Sequence, residues 1–402
     1  MTIDQLLLNS LRPEWSGGEV SAETAYQLAT LAGKHHITPF WISKIRQNGL
    51  FKRFPAELRG RLDQHAMQTK WHNMFAYKLL GDLVKESAPA PVLLLKGIYL
   101  AKFVYPNIGL RGMQDVDILV RREDAERVAA NLERMGYTVD PDEREWYWNH
   151  HYHWHFEPPT LKHPRIEMHW HVKQPGHPLQ FPLDWIWDES RPAQLAGQEI
   201  RVMSAEIALL YLAWHSLHHQ WQIGIKPLID VTALVKRESL DWSFVAERAH
   251  ELGIAKQLAL MMQIVADWFD APFPQAAAEL LRPTPFSPEL VQTAKQHLLF
   301  SVPDEQAQEL SVEFAGLWQN GRINWRILGR SLLLPRHQIG PMYDVAPESW
   351  RVFLCYPRHA ARLVRQHWRT TWRLLRGDAA LKGEVEFTEQ FLATSSWLQK
   401  EK

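Results

Sequence analysis

Cysteine is nearly missing from this chain of 402 residues. Cys355 stands alone, which excludes an intramolecular disulfide and fits a reducing compartment. An excess of one charge sign is missing too: 45 basic and 45 acidic side chains cancel. No global field gathers nucleic acid or anionic lipid non-specifically, so any contact with a polyanion must be local. No apolar run approaches the roughly 20 residues that span a bilayer, which excludes stable membrane insertion as a helix. The opening "MTIDQLLLNSLRPEW" carries Asp4 where a signal peptide has basic charge, and its apolar run is short. A cytoplasmic protein is expected. Neither an internal repeat nor a low-complexity tract interrupts the sequence.

What is present is an ordinary globular balance, 46% hydrophobic and 22% charged, in a chain long enough for two or three packed units. Tryptophan and histidine are plentiful, 19 and 20 residues, and both concentrate between Trp146 and Trp187. They serve either packing or the stacking of a ring-bearing ligand.

Hydrophobic spacing divides the chain into three parts. Residues 1–88 form an N-terminal helical region, because "AETAYQLATLAGKHH" and "FPAELRGRLDQHAMQTKWHNMFAYKLLGDLVKES" repeat apolar positions three and four apart. Pro89 and Pro91 break that pattern. Residues 89–200 alternate: "PVLLLKG" is a strand ending at a glycine, "IYLAKFVYP" a helix, and "DVDILV" a strand. "REDAERVAANLERMG" is a helix with acids in its first turn and Gly136 at its stop, and "HYHWHF" and "RIEMHWHV" are strands of period two. Strands alternating with helices predict an α/β core. Residues 201–402 form a helical domain that opens at Ser204 as N-cap and includes "IKPLIDVTALVKR", "SFVAERAHELG" and "YPRHAARLVRQHWRTTWRLLRG".

The chemistry concentrates in "GLRGMQDVDILVRRED". In a strand, residues two apart share a face, so Asp115 and Asp117 project together while Val116, Ile118 and Val120 face the other way. Two neighbouring carboxylates repel, and a divalent cation between them removes the repulsion. Glu167, in phase with His169 and His171, adds a third acid if its strand lies alongside. Three carboxylates supply ligands for one or two Mg2+ ions, with Mn2+ as the substitute, and two such ions hold the attacking and leaving oxygens of a phosphoryl centre in line. The turn at Gly97 offers backbone N–H groups and a helix dipole to an anion, with Lys96 adjacent. Arg111 has two readings: a bidentate phosphate contact, or a structural partner of Asp115 or Asp117.

The stretch from "LLLKG" through "GLRGMQDVDILV" to "RIEMHWHV" resembles the nucleotidyltransferase-fold superfamily, the polymerase-beta-like enzymes. More closely it resembles a largely uncharacterised bacterial family marked by Lys-Gly, Arg-x-x-x-Asp-x-Asp and Glu-x-His-Trp. The similarity covers about 90–240. It implies a mixed-sheet α/β (α+β) core flanked by helices, Asp115, Asp117 and Glu167 as catalytic metal ligands, and Gly97 as the turn before the nucleotide-binding helix. Two departures stand out: Ile98 follows Gly97 where members usually carry Ser or Gly, and the span from Gly97 to Asp115 is longer than in many members.

Other residues have two readings each. His151, His153 and His155 alternate along a strand and suit zinc, although aromatic packing is the preferred reading. His169 serves the metals or the acceptor, or is a satisfied core histidine. His215 and His219 share a helix face and, with Asp230, line an acceptor cleft or form a buried network. Arginines at three- and four-residue spacing from Arg358 to Arg376 suit RNA or an anionic surface, against a helix whose arginines pair with acids elsewhere.

The expected activity is Mg2+-dependent transfer of a nucleoside monophosphate, AMP from ATP, to a hydroxyl or amine of a small molecule, peptide or protein, with Lys96, Gly97 and Arg111 holding the triphosphate. The alternatives are an RNA-modifying or toxin-like nucleotidyltransferase and a non-catalytic nucleotide-binding regulator. Replacing Asp115 or Asp117 with alanine is expected to leave the fold intact or slightly stabilised.

Overall fold

The apolar run that ends at Lys96 forms an inner strand of a six-stranded mixed sheet. The computed structural model describes residues 1–15, 20–173, 180–218, 224–282 and 284–300, and those between 318 and 378 except 320–321, 324–328, 330–331, 344, 347 and 377. Strands β1 (Val92–Leu94), β2 (Asp115–Val120), β3 (His153–Phe156), β4 (Arg165–His169), β5 (Arg191–Leu195) and β6 (Gln198–Val202) lie in the order β3-β4-β2-β1-β6-β5. β1 is antiparallel to β2 and parallel to β6, and β2 is parallel to β4. All three residues of β1 are buried, as expected of a short apolar run covered on both faces. β5 takes the sheet edge, where Pro192 removes no needed ladder bond.

Helices α1 (Ile3–Ser10), α2 (Ala22–Lys34), α3 (Thr38–Gln47) and α4 (Ala56–Ser87) precede the sheet. Thr2 and Gln5 close a capping box on α1, and Ser21 accepts from the Thr24 N–H to cap α2. The later half of α4 packs against β5, β6 and α6 (Ala125–Arg134). The segment after β1 is helical, α5 (Lys96–Tyr99), and passes into a π turn over Leu100–Val104. Gly136 ends α6 in the left-handed region, with φ of +89°.

Three elements of the core carry no clear period in the sequence. Helix α7 (Pro141–His150) is rich in Trp and charge, α8 (Leu183–Asp188) has six residues, and β5 includes a proline. β3 starts at His153, so His151 lies before it, and β4 stops at His169, so His171 lies beyond it. The main-chain N–H groups of Trp170 and His171 turn to the Tyr152 carbonyl.

After the sheet, α9 (Ala205–His218) begins where the Ser204 hydroxyl accepts from the Ile207 N–H. α10 (Lys226–Arg237), α11 (Trp242–Glu251) and α12 (Ala255–Phe269) pack on α9 and on one another. The chain divides into two compact units, Met1–Val302 and Pro303–Lys400. Within the first unit, Asn73 of α4 and Asp230 of α10 are both bonded to Arg111 in the loop before β2. In the second unit Ile339, Val352 and Cys355 form a small core at the start of the helix Val352–Leu375. That helix exposes Val364, Trp368 and Trp372, and it carries Arg358 over the Tyr343 ring and Arg373 2.9 Å from Asp378. No helix among the described residues is long and apolar enough to cross a membrane.

Candidate active site on the sheet face

β2 and β4 run parallel with Asp117 opposite Glu167, so the third acid reaches the aspartate pair through strand register. Residues paired across neighbouring strands project from the same face. Asp115, Asp117, Glu167 and His169 therefore share one face of the sheet. Lys96 joins them from the end of β1, where its backbone takes φ of +40°, a left-handed conformation that is uncommon for a residue with a Cβ. The Leu95 N–H, one residue earlier, donates to the Asp117 carbonyl and holds this turn against β2.

The two aspartates differ sharply. Asp117 is 2% exposed. Its Oδ1 accepts from Lys96 Nζ at 2.6 Å and lies 3.0 Å from His169 Nε2. Burial alone raises its pKa, but Lys96 and His169 outweigh burial and hold it below the usual carboxylate range. Asp115 has no hydrogen bond or ion pair among the described residues. Burial first, and then the negative charges of Asp117 and Glu167, push its pKa up. Glu167 contacts His155 Nδ1 at 3.4 Å through Oε1 and His169 Nε2 at 3.5 Å through Oε2. Burial opposes its ionisation, yet the bonds to His155 and His169 keep it depressed. His169 bridges two carboxylates, and although burial disfavours its charge, those contacts raise its pKa.

Gly97 is not the left-handed residue of the turn; Lys96 is. A Cβ at Gly97 would sit 2.4 Å from Arg111 Nη1, so glycine is needed here for the close approach of the guanidinium. Arg111 contacts neither aspartate of β2. Its Nε and Nη2 bind Asp230 Oδ1 and Oδ2 at 2.8 and 2.9 Å, while Tyr105 donates to Asp230 at 2.7 Å. Asn73 of α4 donates to the Arg111 carbonyl at 2.9 Å. Asp230 thus fastens the loop before β2 to α10, 119 residues away, and no local pattern announces such a pairing. Of the histidines expected near it, His215 stacks on Tyr211 with ring centroids 6.1 Å apart, and His219 lies outside the described residues.

Three residues join the site that motif spacing does not reveal. Lys226, the first residue of α10, feels the charges of Arg111, Asp230, Asp115 and Asp117; burial and then Arg111 pull its pKa down to about 8. Tyr211 and Tyr152 lie near Lys96, Asp117 and Glu167, and burial raises both phenols. His153 and His155 bring imidazoles from β3 to the same face. The only sequence signal for them is their alternation.

Asp117, Glu167 and His169 each offer a ligand atom within 4.8 Å of the others, and Asp115 stands two residues before Asp117 on the same strand face. An oxygen-rich set with one carboxylate destabilised by its neighbours fits a divalent cation. No curated protein and no solved structure matches the chain. Over residues 21–270, a span that contains every group of this site, the sequence matches the family described as uncharacterised nucleotidyltransferase, and the chain belongs to that family.

Proposed function

We propose that this protein transfers a nucleoside monophosphate, AMP from ATP, to a hydroxyl or amine of an acceptor and releases pyrophosphate. One observation carries the reading: Asp115, Asp117 and Glu167 share a sheet face, with Asp117 and Glu167 in register on parallel strands. Membership of the nucleotidyltransferase family supports the reaction class.

Asp115, Asp117 and Glu167 would hold the divalent ions, Mg2+ or Mn2+. Bound there, such ions neutralise charge on the triphosphate and polarise the α-phosphoryl group. The chain's own residues supply positioning and compensating charge. Lys96 and His169, both kept cationic by their carboxylate partners, balance the acids until cations arrive. Lys96, at the strand end, is then free to turn to a phosphate oxygen. Lys226 is the further cation beside the aspartates, and we assign it to the triphosphate in preference to Arg111, whose Nε and Nη2 are fixed on Asp230. The acceptor's hydroxyl or amine attacks the α-phosphorus, the bond to the bridging oxygen of pyrophosphate breaks, and the acceptor's proton passes to a carboxylate of the site, Glu167 or Asp115. Orientation and charge stabilisation supply most of the acceleration at such centres.

Incubation of the full chain with ATP labelled at the α-phosphate, Mg2+ and cell extract tests this reading. Label moving to a small molecule, peptide or protein, and lost in Asp115→Asn, is the expected result. Label on RNA selects the RNA-modifying alternative, for which the arginines of the helix Val352–Leu375 are the candidate contact. Tight ATP binding with no transfer to any fraction leaves a nucleotide-binding regulator and overturns the proposal.

A further inference from the structure

Beside the carboxylates, on the outer strand of the same face, lies a second group of ligand atoms. β3 pairs with β4 so that His155 faces Glu167 and His153 faces His169. The Nε2 atoms of His153 and His155 are 2.8 Å apart, and His155 Nδ1 is 3.4 Å from Glu167 Oε1. One ligand atom from each of His153, His155 and Glu167 falls within 4.8 Å of the others. His153 is 4% exposed, and its Nδ1 has no hydrogen-bond partner among the described residues. The one hydrogen-bond partner of the His153 ring among the described residues is another imidazole, His155, with His169 packed against it as well; two imidazoles that face each other through Nε2 share a single proton, and a cation can take that proton's place.

We propose that His153, His155 and Glu167 form a second cation seat, distinct from the aspartate pair, which takes a transition ion of the Zn2+ class in preference to Mg2+. One ligand atom from each of the two imidazoles and the carboxylate, within 4.8 Å of one another, can converge on an ion at about 2.0–2.1 Å once the His155 ring turns one nitrogen toward it. Imidazole favours Zn2+ and its neighbours over Mg2+, which prefers oxygen. Two nitrogens and a carboxylate leave a position open for water or a substrate oxygen. His151, which the sequence grouped with His153 and His155 and for which packing is the preferred reading, lies before β3 with its ring 4.6 Å from that of His153, and Glu167 is the third ligand of the seat. Glu167 belongs to both seats, so an ion here fixes the orientation of an acid that the aspartate pair also uses. The proposal does not depend on nucleotidyl transfer.

Full-length protein stripped with a chelator and titrated with Zn2+, and separately with Co2+ as a visible probe, decides it. The expected result is one equivalent of Zn2+ that excess Mg2+ does not displace, with Co2+ absorption of a nitrogen-ligated ion. His155→Ala and His153→Ala should each weaken zinc binding at least tenfold, while Asp115→Asn, which should abolish transfer, retains it. His65→Ala, at an exposed histidine of α4, controls for adventitious uptake. Should a variant fold poorly, His155→Gln gives the same answer through the zinc-dependent rise in Tm, which the wild type shows and the variant lacks. Zinc uptake equal in wild type and both histidine variants, no retained equivalent in the wild type, or loss in Asp115→Asn would each overturn the seat.

Discussion

Lys96 Nζ lies 2.6 Å from Asp117 Oδ1, and Asp115, two residues earlier on the same strand face, has no such partner. This asymmetry separates two substitutions that the motif treats alike. Asp117→Asn leaves Lys96 and His169 facing a neutral group in a site where Asp117 is almost wholly enclosed, and breaking a buried pair in this way costs about 3–5 kcal/mol. Asp115→Asn removes a carboxylate destabilised by Asp117 and Glu167. Its Tm should equal or exceed that of the wild type, while the Tm of Asp117→Asn falls by several degrees or more, as calorimetry on the two variants would register. Equal melting of both would contradict the assigned pairing. The expectation from sequence that either aspartate is dispensable to the fold therefore changes for Asp117.

The contrast also marks how far the sequence could be read. Strands β1, β2, β3 and β4 announce themselves by apolar runs or alternation, and Asp115, Asp117 and Glu167 stand out because charge interrupts those patterns. Register is invisible in a single strand: that Glu167 falls opposite Asp117, and His155 opposite Glu167, depends on crossovers and loops. The Arg111–Asp230 pair and the approach of Lys226 join segments more than a hundred residues apart, where no periodicity links them. Gly97 is legible as a turn residue, but the atom that crowds a side chain there belongs to Arg111, which no local pattern announces.

Gly97→Ala should therefore act through Arg111. The added methyl falls 2.4 Å from Nη1, and a guanidinium held by two bonds to Asp230 has little room to yield. Overpacking of this kind costs about 1–3 kcal/mol. In Asp230→Asn the guanidinium is already loosened, so Gly97→Ala should cost less in that background. Chemical denaturation of the wild type, both single variants and the double variant measures the coupling. Strict additivity would show that the methyl is accommodated without moving Arg111.

The charge of His169 gives the site a pH signature. Its folded pKa is raised above the ordinary 6.5, so it adds stability that is fully present below pH 6.5 and is lost as pH rises through the folded value. Asp117 and Glu167, depressed below 3.8 and 4.5, behave in the opposite sense: their contribution is complete above those values and disappears as pH falls. His169→Gln should therefore show its largest deficit in Tm near pH 6 and a shrinking deficit at higher pH. Thermal melts of wild type and variant between pH 5.5 and 9 test this, and a deficit that grows with pH would mean that the imidazole is neutral in the folded chain.

Lys226 supplies the last distinction, between a cation that binds substrate and one that supports the fold. It starts α10 beside Arg111, and burial together with that like charge brings its pKa down to about 8. A lysine disfavoured by its surroundings contributes little to stability when charged, so Lys226→Met should melt at or above the wild-type temperature. If the ammonium holds the triphosphate, the same variant raises KM for ATP about tenfold or more, roughly the 1.5–3 kcal/mol of a hydrogen bond to a charged group. The wild type should then lose kcat/KM above pH 8, as the lysine deprotonates. Lys226→Arg, which stays charged, should lack that alkaline limb even if its overall activity is lower. Steady-state rates across pH 6.5–9.5 for the three proteins decide the matter, because a purely structural lysine would leave the alkaline limb unchanged on replacement by arginine.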